Sequence, residues 1–142
     1  MRLLLDTNVL IGFLAKREPF YEDARELMAL SLTGIAELWM SSLQVTDLVY
    51  ILSNGGKAAQ QDAARSAVRG LRKIVHVCAP GEQQVDDALE SGWKDSEDAF
   101  VYEAARLVGA NRMVTRDKIG YVRSRIPAIS PSEAVAQLRA EH

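Results

Sequence analysis

The chain reads as an α/β protein with a mainly parallel central sheet of four to five strands, covered by helices on both faces. Short apolar runs of strand length alternate with longer stretches of helical periodicity, the order expected of βαβ units. The runs are nearly continuous in apolar residues rather than alternating, as strands buried on both faces are. With 142 residues, 48% of them apolar, the chain can bury one core and is too short for two ordinary domains. Residues 1–142 are therefore expected to form a single domain, without internal repeat or linker.

Arg2 to Leu5 is the first strand, and Asp6-Thr7-Asn8 supplies helix-start chemistry for Val9 to Ala15. A helix is expected from Tyr21 to about Leu32, where Gly34 stops it, and a second strand from Ile35 to Met40. Ser41-Ser42 caps a helix through Leu52 that Asn54-Gly55-Gly56 ends. Lys57 to Lys73 is amphipathic, with Ala64, Ala67, Val68 and Leu71 opposite Arg65, Arg69, Arg72 and Lys73. Ile74 to Val77 is β-branched and reads as the third strand. Helices follow at Glu82 to Leu89 and at Ser96 to Val108, the latter closed by Gly109. Arg112 to Thr115 is a fourth strand and Ile126 to Ile129 a short fifth. Ser130-Pro131-Ser132-Glu133 opens the terminal helix, with proline at an early position.

Net charge is −2, so the total does not announce a nucleic-acid or membrane-surface protein. Positive charge is local: Arg112, Arg116, Lys118, Arg123 and Arg125 face the single acid Asp117 in their segment, and the row at Arg65 to Lys73 is a second cluster or a solvated face. The lone Cys78 fits a reducing compartment, and Cys78, His76 and His142 show none of the zinc spacings. No run is long enough to span a membrane and no secretory signal is present, so a cytoplasmic protein is expected.

The chemistry resides in the acids. Asp6, Asp47, the pair Asp95 and Asp98, and Asp117 each adjoin an apolar run, where carboxylates are costly to bury. A chain that keeps several there commonly holds a divalent cation, and an oxygen-only donor set favours Mg²⁺ or Mn²⁺. Each acid also has a plain structural role available. Asp6 can be an N-cap, Asp95 an N-cap with Asp98 in the first turn of its helix, and Asp117 a turn residue. Asp47 is the least easily explained, because its helix is apolar nearly all round and a mid-helix aspartate gains no cap energy. Asp6 and Asp117 follow strands, so they belong to the carboxyl edge of the sheet, where ligands of such folds gather. Thr115 could orient a carboxylate or a water. The reading from residues alone is a metal-dependent hydrolase acting on phosphodiesters.

The segments Leu3-Leu4-Leu5-Asp6-Thr7-Asn8-Val9-Leu10, Asp95-Ser96-Glu97-Asp98-Ala99 and Val114-Thr115-Arg116-Asp117 resemble the PIN-domain ribonucleases, most closely the VapC-like toxins of type II toxin–antitoxin pairs. The resemblance covers almost the whole chain. It implies a three-layer α/β/α sandwich whose acids bind Mg²⁺ or Mn²⁺ and cleave RNA. By position it implies Asp6, Asp47, Asp98 and Asp117 as the catalytic acids, with Asp6, Asp98 and Asp117 as metal ligands. Asn8, Thr115 and the additional acid Asp95 take supporting places. The second acid of the family is more often glutamate. Glu37 is the other candidate for it but would precede the helix, and Asp47 is the choice. Arg116 and Lys118, flanking Asp117, are the candidate RNA contacts. An antitoxin partner and a homodimer are implied, while the lack of a spanning run argues against a membrane association. The alternatives are a catalytically impaired PIN-like metal- or RNA-binding module and a housekeeping RNA-processing nuclease. Receiver domains and haloacid dehalogenase-type phosphatases fit poorly, because the first strand ends in a single aspartate and position 8 is asparagine.

Overall fold

The computed structural model describes residues 1–141, so His142, the last residue of the expected domain, lies outside the described residues. Five strands form one parallel sheet: β1 (Arg2–Leu5), β2 (Glu37–Ser41), β3 (Val75–Cys78), β4 (Arg112–Val114) and β5 (Ala128–Ile129), in the order β3-β2-β1-β4-β5. Seven α-helices join and cover them: α1 (Thr7–Leu14), α2 (Tyr21–Leu32), α3 (Ser42–Leu52), α4 (Gln61–Leu71), α5 (Glu82–Glu90), α6 (Ser96–Val108) and α7 (Pro131–Glu141). This is the expected α/β/α arrangement at the upper strand count.

The central strand β1 explains the sandwich. Leu3, Leu4 and Leu5 are all fully buried, yet consecutive strand residues point to opposite faces. Leu3 and Leu5 enter one core with Leu10, Leu27, Leu38 and Leu138, while Leu4 enters the other with Val101, Ala105 and Met113. Both faces therefore need helices. Truncating such a residue removes transfer energy and leaves a cavity, together about 2–5 kcal/mol.

Two expectations are refined. The stretch from Lys57 to Lys73 is a short 3-10 turn, Ala58–Gln60, followed by α4 from Gln61, so the amphipathic helix is shorter than its pattern. More consequentially, α3 is not buried on most sides: Leu43, Tyr50 and Ile51 are exposed, and within the helix Gln44 and Leu48 are the buried residues. A helix apolar all round can equally leave an apolar face uncovered.

The strand order places the site. Chain direction across the sheet reverses around β1, with β2 and β3 on one side and β4 and β5 on the other. The carboxyl ends of β1 and β4 are adjacent through the Leu5–Val114 pair. Such a switch point leaves a crevice beyond the strand ends. Among the described residues no helix is long and apolar enough to cross a membrane.

Candidate active site

Asp6 follows β1 directly and caps α1. Its Oδ1 accepts from the Thr7 N–H at 2.8 Å, and its Oδ2 accepts from the Thr115 hydroxyl at 2.8 Å. The capping role and the site role are thus filled by one side chain. Thr115, fully buried beyond β4, also accepts from the Asp117 N–H at 3.0 Å. Asn8 spans the crevice from the other side: its amide donates at 3.4 Å to both Asp6 Oδ2 and Thr115 Oγ1, and its carbonyl oxygen accepts from the Arg116 N–H at 3.2 Å. Asp6, Asn8, Thr115 and Asp117 are therefore one connected network across β1 and β4.

Asp98 joins them from α6, where Asp95 is the N-cap and accepts from the Asp98 N–H at 3.1 Å. The meeting point is marked by Gly120, in the 3-10 turn Lys118–Tyr121. A Cβ at this residue would stand 2.5 Å from Asp98 Oδ2 and 3.3 Å from Asp117 Oδ2. Glycine is what lets both carboxylates close on this point.

Like charge and partial burial leave a signature. Burial raises Asp6 above the usual carboxylate range, against the lowering effect of the Thr115 and Thr7 hydrogen bonds. Asp98 is pushed up to about 6, by burial first and then by the charges of Asp95 and Asp6. Both shifts describe a site short of positive charge.

Asp47 stands one step away. It is half-buried on α3 and lies near Glu97. The Glu97 carboxyl is raised, by burial first and then by Asp47. The pair sits at a cavity of about 340 Å³ that Leu43, Gln44, Phe100 and Val101 also line. Glu97 is a member of the acidic cluster that the sequence reading passed over. Glu37 begins β2 and so lies at the opposite end of the sheet, where it pairs with Arg2 at 3.4 Å.

Tyr121 was also missed. It is 2% exposed, and its hydroxyl lies beside Asp6 and Asp98 without closing a hydrogen bond of normal geometry to either. Burial and the two neighbouring charges hold the phenol protonated, well above its ordinary value.

Arg116 lies with its guanidinium carbon 3.7 Å from the centre of the Phe20 ring, a cation–π seat that fixes it at the rim. Lys118 is engaged instead: its Nζ meets Glu133 Oε1 at 2.7 Å. Glu133 is correspondingly held at about 2, through Lys118 first and then Ser130.

The donors at the cluster are hard oxygens, crowded and partly desolvated, which suits a hard divalent cation rather than zinc. Among the described residues no three carboxylate, histidine or cysteine side chains close around one point as they stand. Small hard cations that keep several waters and take one or two carboxylates do not require such a cage.

Comparison with known proteins agrees with this architecture. The chain is 24% identical over 125 residues to Ribonuclease VapC1 of Aquifex aeolicus (strain VF5), covering 84% of each chain. The VapBC-1 structure from nontypeable Haemophilus influenzae superposes with a TM-score of 0.68 at 19% identity, over 93% of this chain and 99% of that one. VapBC2 from Rickettsia felis, bound to a promoter DNA fragment, superposes at 0.65 with 17% identity, over 92% and 98%. VapC20 of Mycobacterium tuberculosis, a sarcin-ricin loop cleaving toxin, does so at 0.65 with 14% identity, over 85% and 94%. The PIN domain family matches residues 2–119, and the chain belongs to that family.

Proposed function

We propose that the protein is a Mg²⁺- or Mn²⁺-dependent endoribonuclease and the toxin of a toxin–antitoxin pair, working in the cytoplasm as a single PIN domain. The observation that carries the reading is the approach of the Asp98 and Asp117 carboxylates at Gly120, with Asp117 tied through Thr115 to Asp6 at the switch point of a parallel sheet. The relatives support the substrate class and the partner: one is named a ribonuclease, one a sarcin-ricin loop cleaving toxin, and one structure of similar fold is a toxin-antitoxin complex.

Asp6, Asp98 and Asp117 would hold the cation. When bound, it would offset the charge of the scissile phosphate and polarise its P–O bonds. The residues of the chain do the rest. Thr115 and the Thr7 N–H take up lone pairs on both Asp6 oxygens and so fix the plane of that carboxylate. Asn8 locks the segment after β4 to the start of α1. Asp98 or Asp117 would also steer the attacking water. Asp47 and Glu97 add a second acidic pair at the edge of the crevice, with Asp95 setting the pitch of Asp98. Arg116, held over Phe20 away from the acids, meets the RNA backbone at the rim, and Lys118 does so after leaving Glu133. The exposed Leu43, Tyr50 and Ile51 on α3 and Leu89 on α5 support both a homodimer and an antitoxin seat.

Purified wild type and Asp6→Asn, incubated with mixed single-stranded RNA in EDTA, Mg²⁺ or Mn²⁺, test the reading. Cleavage by wild type alone, dependent on the metal, is expected. Equal cleavage by both, or none by folded wild type freed of its partner, would overturn it.

A further inference from the structure

A second cavity, of about 370 Å³, opens against the same acids. It is lined by Trp93 and Lys94 from the α5–α6 loop and Ile119, Val122 and Arg123 from the turn after β4, together with Asp95, Asp98, Asp117 and Gly120. The nuclease chemistry above uses none of the first five.

Trp93 packs against the edge of the second core, and the other four stand exposed. Trp93 is set by local structure: Gly92 takes a φ of +72°, and the Trp93 N–H donates to Ser91 Oγ at 3.2 Å. Its indole stacks on Tyr102 with centroids 4.9 Å apart and planes 24° apart, and meets Tyr121 edge-on at 5.9 Å and 72°. The ring is thereby held in a fixed plane while still only half-buried. Ile119 and Val122 are 81% and 77% exposed, although a chain of this composition has core to hide them in. Arg123 passes over Gly92 so closely that a Cβ there would lie 3.4 Å from its Nη1. Among the described residues neither Arg123 nor Lys94 has an ion-pair partner.

A rigid aromatic ring, two apolar side chains and two uncommitted cations, beside carboxylates, select an occupant with separate parts. It must bring a flat, uncharged π-face to the ring and negative charge to the rim, away from the acids. A nucleotide does this: bases stack on aromatic side chains and their phosphates pair with the flanking cations. We propose that this cavity is a nucleobase subsite, in which Trp93 stacks a base of single-stranded RNA next to the scissile phosphate and Arg123, with Lys94, holds the adjoining phosphate. The inference rests on the ribonuclease reading and adds to it a specificity element outside the acidic motifs.

Binding tests it without relying on turnover. Trp39 is the only other tryptophan, so Trp39→Phe in an Asp6→Asn background leaves Trp93 as the reporter. Titration with a mixed-sequence RNA hexamer in Mg²⁺ is expected to quench its fluorescence. Trp93→Ala should weaken hexamer affinity roughly 5- to 150-fold, the range for one stacked base. Trp93→Phe, which keeps a ring on Tyr102, should fall between. Arg123→Ala, at an exposed position, should lower the salt dependence by about one phosphate contact. Hexamer binding without quenching, and with affinity unchanged in Trp93→Phe and Arg123→Ala, would overturn the subsite. Metal-dependent cleavage by wild type with an unaltered KM in the Trp93 variants would do the same while leaving the nuclease intact. RNA neither bound nor cut by wild type would remove both readings. Unchanged RNA affinity with weakened antitoxin binding would assign the cavity to that protein instead.

Discussion

Adding one methyl group at Gly120 tests the acidic centre more sharply than removing a carboxylate. In Gly120→Ala the new Cβ would lie 2.5 Å from Asp98 Oδ2, and ordinary contact begins near 3.4 Å, so the carboxylate must retreat by about 1 Å. The atom in the way is the far end of a side chain, not backbone, and the φ of Gly120 lies outside the left-handed region. The fold therefore loses little, and the reduced freedom of the unfolded chain contributes about 0.4–1 kcal/mol in the opposite sense. Tm should stay within about 3 °C of wild type. Catalysis is less forgiving, since a misplacement of about 1 Å can cost on the order of 100-fold. Single-turnover cleavage of an RNA oligonucleotide at saturating Mg²⁺, beside a thermal melt, measures both. A cleavage rate within about threefold of wild type at unchanged Tm would refute the placement of Asp98 at the reacting centre.

Further outcomes follow from the same geometry. Asp98 titrates near 6 when folded, above its ordinary value, so its contribution to stability is full below about pH 4 and lost as pH rises through 6. In EDTA the wild-type Tm should fall from pH 5 to pH 7.5 more than that of Asp98→Asn, and Mg²⁺ should restore it at pH 7.5; parallel profiles would contradict this. Arg116→Ala should weaken RNA binding roughly 3- to 10-fold and reduce the salt slope by about one, whereas Lys118→Ala, whose ammonium is already paired with Glu133, should do less in the same anisotropy titration. Gln44 is buried, accepts from the Ser41 N–H at 2.7 Å and donates to the Leu5 carbonyl at 3.0 Å and the Thr7 hydroxyl at 3.1 Å. Gln44→Ala should cost about 1–3 kcal/mol in urea denaturation by stranding those groups. Leu3→Ala, in the middle of the sheet, should cost about 2–5 kcal/mol by the same assay.

What the sequence disclosed, and what it hid, follow from how far each signal reaches along the chain. The strands were legible because leucine runs such as Leu3 to Leu5 are local and need two covered faces. Asp6, Asp98 and Asp117 were legible because each adjoins such an element. The context of Asp47 was not: a helical wheel reports the polarity of α3 but not which side a neighbour covers, and Leu43, Tyr50 and Ile51 prove to face outward. Glu97 lay within the motif, one residue from Asp98, yet its place on one cavity with Asp47 depends on how the fold brings α3 and α6 to the same edge of the sheet. Tyr121 and Trp93 look like ordinary core aromatics in the sequence. Only the fold brings the hydroxyl of one to Asp6 and Asp98 and the indole of the other to a cavity beside them. Gly120 could have been suspected from its place just after Asp117 in Asp117-Lys118-Ile119-Gly120.

The hydrogen bond between Asp6 and Thr115 joins residues 109 positions apart. A ribosome makes about 5–20 residues per second, so Asp6 waits on the order of 5 to 20 seconds for the partner that fixes its carboxylate. During that interval the emerging polypeptide carries Asp6 without Thr115 or Asp117. Interrupted synthesis anywhere before β4 releases a fragment that lacks Thr115 and Asp117 together. Dividing one hydrogen-bonded cluster between β1 and the segment after β4 means that it assembles only once most of the described chain has been made.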